Sequence, residues 1–287
     1  MIKVVFSITL CISISFSCLA QNQVKKTLDV LSWNIYLLPG ITNLSKEIEK
    51  NNKKERAAEI AEVLNNSKYD VVVFQEAFFS PARGVLAKSI KELYPFQYGP
   101  INPSGLSLKT NSGLFVVSKQ ALKILGTVIY EACNGADCFA KKGAVLLEGT
   151  FDGGKYQILG THLNAGGPQW IREAQYKQMK GLLDEHLKMD VPQIVCGDMN
   201  THKENEGFYK HMLLKLDVED VETKSDQVFT TAKDRSVIDY VLLRKNGTTL
   251  KAINKEVLWI KAKRLKVIEK LNGNLSDHLA LFASFAW

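Results

Sequence analysis

Short apolar, β-branched runs recur along the chain at 28–33, 70–75, 113–118, 144–151, 156–161, 193–196, 237–243, 257–260 and 279–285. They constrain the fold more than any other feature, because runs of this length and composition are strands. Two longer segments, 46–65 and 168–187, have helix-favouring composition, and the second opens on Pro168, a residue suited to the first helical turn. Strands outnumber helices without strict alternation, which predicts an α/β sandwich of two packed sheets with helices outside. No repeat, low-complexity stretch or long Pro/Gly/Ser linker divides residues 21–287, so a single domain is expected there.

The first twenty residues stand apart. Lys3 supplies a basic start, 4–16 form an apolar stretch diluted by serines, and Cys18, Leu19 and Ala20 precede Gln21. That layout is a secretory signal peptide, with the mature chain starting near Gln21 and exported to the periplasm or the medium. The stretch is too short and too serine-rich to span a membrane. Cys18 offers the alternative of a lipid anchor, although Ser15, Phe16 and Ser17 make a poor processing site for one. In an oxidising compartment Cys133 and Cys138 are able to pair, whereas Cys196, inside PQIVCGD, reads as a small buried residue. Zinc is disfavoured, since the chain has neither CxxC nor HExxH.

Hydrophobic residues make up 46% of the 287, enough for a core and too many for a disordered chain. The net charge of +7 leans towards anionic partners without choosing among them. The Lys/Arg runs at 51–56 and 261–266 are short and mixed, and read as solvated surface.

Chemistry-bearing residues gather where apolar runs end, which is where strands leave a core and face a cleft. LDVLSWN ends on Asn34, DVVVFQE on Glu76, YQILGTHLN on His162 and Asn164, and PQIVCGDMN on Asp198 and Asn200; SVIDYVLL carries Asp239, and LSDHLALF opens on Asp277 and His278. Singly, each has a plain structural explanation, as a turn residue, a solvated strand end or a satisfied histidine. Asp239, between Ile238 and Tyr240, is harder to explain away, because a carboxylate inside an apolar strand needs a partner. Together the residues supply hard oxygen ligands and imidazoles, the material for divalent-metal phosphodiester hydrolysis. His186, His202 and His211 lie in polar contexts and read as surface residues.

The order WN, QE, GTHLN, GDMN, IDYVLL and SDHLAL resembles the endonuclease/exonuclease/phosphatase superfamily over residues 28–287. That resemblance implies a four-layer α/β/β/α sandwich of two packed mixed sheets, the DNase-like fold, with dependence on Mg²⁺ or alternatively Mn²⁺ or Co²⁺. By motif it makes Glu76 the metal ligand, assisted by Asn34 and Asp277. It makes His278 the general base oriented by Asp239, places Asp198 and Asn200 at the attacking water and phosphate, and puts His162 and Asn164 on the substrate. NIYLLPG, SGLFVVSK, DCFAKKGAVLLE and THLNAGG followed by IREAQYKQM narrow the likeness to neutral sphingomyelinases. There Asp137 and Lys142 resemble a switch pair beside the site, and Arg172 and Gln175 match the following helix.

The expected substrate is therefore a sphingolipid phosphodiester at a membrane surface. A monomer is expected, with no membrane span after signal cleavage. A secreted DNase-like nuclease is the alternative, weakened because no arginine-rich segment near the motifs would grip a phosphate backbone, so no stable nucleic-acid partner is expected. The exposed aromatic hairpin of secreted bacterial members has no clear equivalent. Tyr36, the Leu37–Leu38–Pro39 stretch and Trp170 are the lipid-contact candidates, and Trp287 reads as structural.

Overall fold

The computed structural model describes residues 27–39, 47–222, 229–264, 271 and 273–287; the expected signal peptide, Cys18 included, lies outside them. The elements in chain order are β1 (Leu28–Asn34), α1 (Glu47–Asn65), β2 (Val71–Gln75), α2 (Ser80–Ser89), β3 (Phe96–Tyr98), β4 (Phe115–Ser118), β5 (Lys123–Ile129), β6 (Gly143–Phe151), β7 (Gly154–His162), α3 (Gln169–Glu185), β8 (Gln193–Asp198), α4 (Glu206–Leu216), β9 (Glu219–Asp220), β10 (Asp239–Arg244), β11 (Lys251–Leu258) and β12 (Ala280–Ala286). Among the described residues the strands form two six-stranded sheets, ordered β11-β12-β1-β2-β4-β3 and β5-β6-β7-β8-β10-β9. Each is mixed, with one parallel pair, β1 with β2 and β7 with β8, inside otherwise antiparallel neighbours.

Strand alternation sorts the side chains into layers. Val30, Val71, Val73 and Val116 from one sheet meet Val145, Ile158, Ile194, Cys196 and Val241 from the other. Leu31, Trp33, Val72 and Phe74 point the opposite way, onto Ile60, Leu64 and Leu86 of α1 and α2. On the far side Leu146, Leu159 and Leu242 pack against Tyr176, Met179 and Met212 of α3 and α4. The result is the expected four-layer α/β/β/α sandwich, with Cys196 buried between the sheets as its apolar run foretold. Each of these large side chains contributes roughly 1.5–3 kcal/mol by leaving water.

The strands that escape a reading of the sequence are those at sheet edges. β3 and β5 were not anticipated, and β11 begins six residues ahead of the expected 257. An edge strand buries one side at most, and β5 and β11 are largely exposed or half-buried along their length, so they carry no apolar run. The missed helices left readable starts: Pro81 in the first turn of α2, and Asn205, whose side chain accepts from Phe208 N ahead of α4.

Two glycines set how closely strands approach the site. A Cβ on Gly160 would lie 2.7 Å from Val73 Cγ1 in the opposing sheet. Gly197 has φ 147° and a Cβ there would lie 2.0 Å from Thr161 O, so only glycine lets β8 run beside β7. Gly197→Ala should therefore cost well over 1 kcal/mol, about the scale for alanine at an incompatible φ, read as a lowered urea midpoint; a midpoint unchanged from the parent would refute this account of the strand pair.

Candidate active site

Strand register assembles the site. In the second sheet His162 pairs with Asp198 and Asp198 with Asp239, so three adjacent strand ends bring these side chains into one row. In the first sheet Asn34 pairs with Gln75, and Glu76 follows at once. Asn34 joins the two sheets, its Nδ2 donating to Asp198 Oδ2 at 3.1 Å while its Oδ1 accepts from Tyr36 N at 3.1 Å. Glu76 and Asn200 both adopt positive φ, 56° and 47°, a backbone state that non-glycine residues hold where the surroundings enforce it.

His278 and Asp239 make the central pair. Asp239 Oδ2 lies 2.9 Å from His278 Nδ1, which leaves Nε2 facing Asp198 Oδ2 at 3.8 Å. Thr230, unremarked in the sequence, positions both: its carbonyl accepts from Leu279 N at 2.7 Å and its hydroxyl oxygen accepts from Asp239 N at 3.2 Å. Trp33 Nε1 donates to His278 O at 3.1 Å, and Ser276 Oγ donates to Asn34 O at 2.7 Å. Arg56 on α1 was also missed. Buried at 2% exposure, it donates to the carbonyls of Ile35, Tyr36 and Leu275 and so ties the loop after Asn34 to the loop before Asp277. A single arginine in a helix gives no sign of this in the sequence.

The electrostatics are those of a crowded acidic pocket. Burial pushes the Glu76 carboxyl up, and Asp277 adds to it; burial, then Asp239, pushes Asp198 up; burial likewise raises Asp277. Burial opposes charge on His278, but Asp239, then Asp198 and Asp277, outweigh it and hold the imidazole well above its usual range. Glu76 Oε2 is shut off from water and has no hydrogen-bond partner. A buried carboxylate oxygen left unmatched among raised carboxyls is a place that suits a cation. Asp198, Asp239 and His278 also come close enough to share an ion, but the bond from Asp239 to His278 Nδ1 suits an oriented imidazole better than a metal ligand.

Lys142 supplies the positive charge. It is buried, and its Nζ lies 3.0 Å from His162 Nε2, 2.8 Å from Asp137 Oδ1 and 2.9 Å from Leu163 O. An ammonium only donates, so His162 Nε2 accepts and the ring proton sits on Nδ1, which is buried without a hydrogen-bond partner. Burial, then Lys142, holds His162 well below the usual imidazole range. Removing the charge in Lys142→Met should raise the His162 midpoint, followed by the ring-proton NMR shifts; an unmoved midpoint would show that Lys142 does not act on this ring.

Asp137 is braced from two sides. It lies on a turn, Gly135–Phe139, flanked by the Cys133–Cys138 disulfide, and its Oδ2 accepts from Ala165 N at 2.6 Å. Asn164 Oδ1 accepts from Asn134 N, and Gln175 Oε1 accepts from Asn164 N. Gln175 and Asn164 thus fasten loops, while Arg172 bonds Gln169 within α3 and reaches Asn164 O at 3.5 Å. Asn200 donates from its backbone to Asp198 Oδ1 and from Nδ2 to Leu163 O.

A cleft of about 640 Å³ opens on this constellation, with Tyr36, Asn200, Thr231, Asp277 and His278 on its walls. His202 borders it too, so this surface histidine stands nearer the chemistry than its polar context suggested. Of the lipid-contact candidates, Leu37 is fully buried and Trp170 is exposed; Trp287, read as structural, stacks on Phe151.

A model of the Endonuclease/Exonuclease/phosphatase family matches residues 31–278. Sphingomyelinase C 2 of Leptospira interrogans is 29% identical over 219 residues, covering 69% of this chain and 34% of that protein. Phospholipase C of Staphylococcus aureus is 27% identical over 213 residues, 68% of this chain and 63% of its own length. The chain thus spans about a third of the first relative and under two thirds of the second. A beta toxin variant from Staphylococcus aureus, solved with bound magnesium ions, has the same fold at TM-score 0.74 and 23% identity, covering 89% of this chain and 98% of that one.

Proposed function

Because the chain belongs to the endonuclease/exonuclease/phosphatase family, we propose that it is an exported Mg²⁺-dependent phosphodiesterase that hydrolyses sphingomyelin to ceramide and phosphocholine. The observation that carries this reading is the His278–Asp239 pair, 2.9 Å apart and backed by Asp198, with His278 on the wall of a cleft that also takes in Asp277. The names of the relatives, sphingomyelinase C and phospholipase C, favour a lipid phosphodiester over nucleic acid. The enzyme acts as a monomer released by cleavage of residues 1–20. Among the described residues no helix is long and apolar enough to cross a membrane.

Glu76 would hold the ion, with Asn34 and Asp277 beside it; Mn²⁺ or Co²⁺ fit the same oxygen donors. A bound divalent ion polarises the phosphate and offsets its charge. His278 sheds its proton more readily once positive charge lies beside Glu76 and Asp277, and its Nε2 then takes a proton from the attacking water. Asp239 keeps Nδ1 protonated and the ring oriented. Lys142, held by His162 Nε2, faces the charge that develops on the phosphoryl oxygens; Asn200 positions the headgroup, and the buried Asn164 fixes the loop beside it. The phosphorus–oxygen bond to ceramide breaks as the water oxygen adds, and the departing ceramide oxygen takes a proton from solvent in the cleft.

The test is phosphocholine release from sphingomyelin vesicles by the chain from Gln21 onwards, beside plasmid DNA in the same buffer, with Mg²⁺ and then with EDTA. Release that EDTA abolishes, with intact DNA, is the expected result. Nicked DNA with untouched lipid would move the substrate to nucleic acid, and release undiminished by EDTA would remove the metal.

A further inference from the structure

The loop between β3 and β4 carries two leucines that no described residue covers. Leu106 and Leu108 have relative exposures of 108% and 104%, so both side chains stand clear of the surface. Single exposed leucines are ordinary; two at alternate positions of one loop, beside an exposed aromatic, are not. That aromatic is Phe139, 73% exposed, at the end of the turn that holds Asp137.

Hydrogen bonds fix the loop to this turn. Thr110 N donates to Phe139 O at 2.8 Å and Lys141 N to Thr110 O at 3.1 Å, while Lys141 Nζ donates to the carbonyls of Pro103 and Ser104, both at 2.8 Å. Lys141 thus secures both feet of the loop, and the next residue, Lys142, reaches into the site. On the other side Asp137 binds Ala165 N, and the segment from Ala165 leads to Trp170, 60% exposed at the start of α3. The apolar residues therefore stand on the backbone that frames Asp137 and Lys142.

We propose that Leu106, Leu108, Phe139 and Trp170 form a docking surface that seats the site on a zwitterionic phospholipid bilayer, a proposal resting on the lipid phosphodiester reading. Leucines that stand this clear of the surface enter the acyl boundary of a bilayer readily. Aromatic rings suit the headgroup level, and the exposed Lys109 beside Leu108 supplies a cation for lipid phosphate.

The experiment compares the chain from Gln21 with its Leu106→Ser/Leu108→Ser variant and with Leu214→Ser, an exposed leucine on α4, as control. Flotation with phosphatidylcholine vesicles should show about tenfold or greater loss of binding in the double variant and none in the control. Hydrolysis of vesicle sphingomyelin should fall in step, while turnover of a monomeric short-acyl sphingomyelin stays at the parental rate. A parent that does not float, a double variant that floats as well as the parent, or equal losses on vesicle and monomeric substrate would overturn the proposal. Self-association of the parent through this loop in solution would also overturn it. Failure of the underlying reading looks different: the parent floats yet hydrolyses neither lipid.

Discussion

His278→Ala is expected to slow the proposed sphingomyelin hydrolysis by about 10²–10⁴-fold, the range for loss of a positioned general base, and to lower the thermal midpoint, because Asp239 is left buried without its partner. The ring is held through Nδ1 by Asp239, so Nε2 is the atom left for the reaction. Asp239→Asn keeps the shape of the pair but replaces an acceptor with an amide, and it should lose activity in kcat more than in KM. Single-turnover rates of the three proteins, with circular dichroism to confirm folding, decide the matter. Activity within a few-fold of the parent in His278→Ala would remove this histidine from the reaction.

Glu76→Gln is the second large effect. Its carboxyl is raised by burial and then by Asp277, and one oxygen has no hydrogen-bond partner, so the charge is a cost to the metal-free fold. The isosteric amide removes that cost, and the variant should melt no earlier than the parent in EDTA. It should also bind Mg²⁺ at least about a hundredfold more weakly, since even residues outside the ligand set alter affinity by 10–100-fold. Differential scanning calorimetry across a Mg²⁺ series reads both: the parent gains stability with added ion by mass action, and the variant does not. A parental response to Mg²⁺ in Glu76→Gln would move the ion elsewhere, with Asp198, Asp239 and His278 the next group to test.

The layers were legible in the sequence because central strands bury both faces, and their apolar runs end where the core ends. The same rule made Asn34, Glu76, His162, Asp198 and Asp239 conspicuous, and the structure brings them together with His278 and Lys142. Sequence reading failed where residues act through the backbone. Thr230 serves by its hydroxyl and carbonyl, and Arg56 by reaching three carbonyls in two distant loops; neither role leaves a pattern along the chain. The edge strands were obscure for a related reason, since half-exposed β5 and β11 carry no continuous apolar signal.

Asp239 belongs to one sheet, while His278 stands just ahead of a strand of the other, and Asn34 reaches across to Asp198 in the same way. The catalytic distances therefore act as a gauge of how the two sheets seat on each other. A shift of an ångström between the layers, too small to disturb either sheet's own ladder, would open the His278–Asp239 contact beyond bonding range. Drift in interlayer packing, as at Gly160 over Val73, is then visible to selection as lost turnover well before it is visible as lost fold.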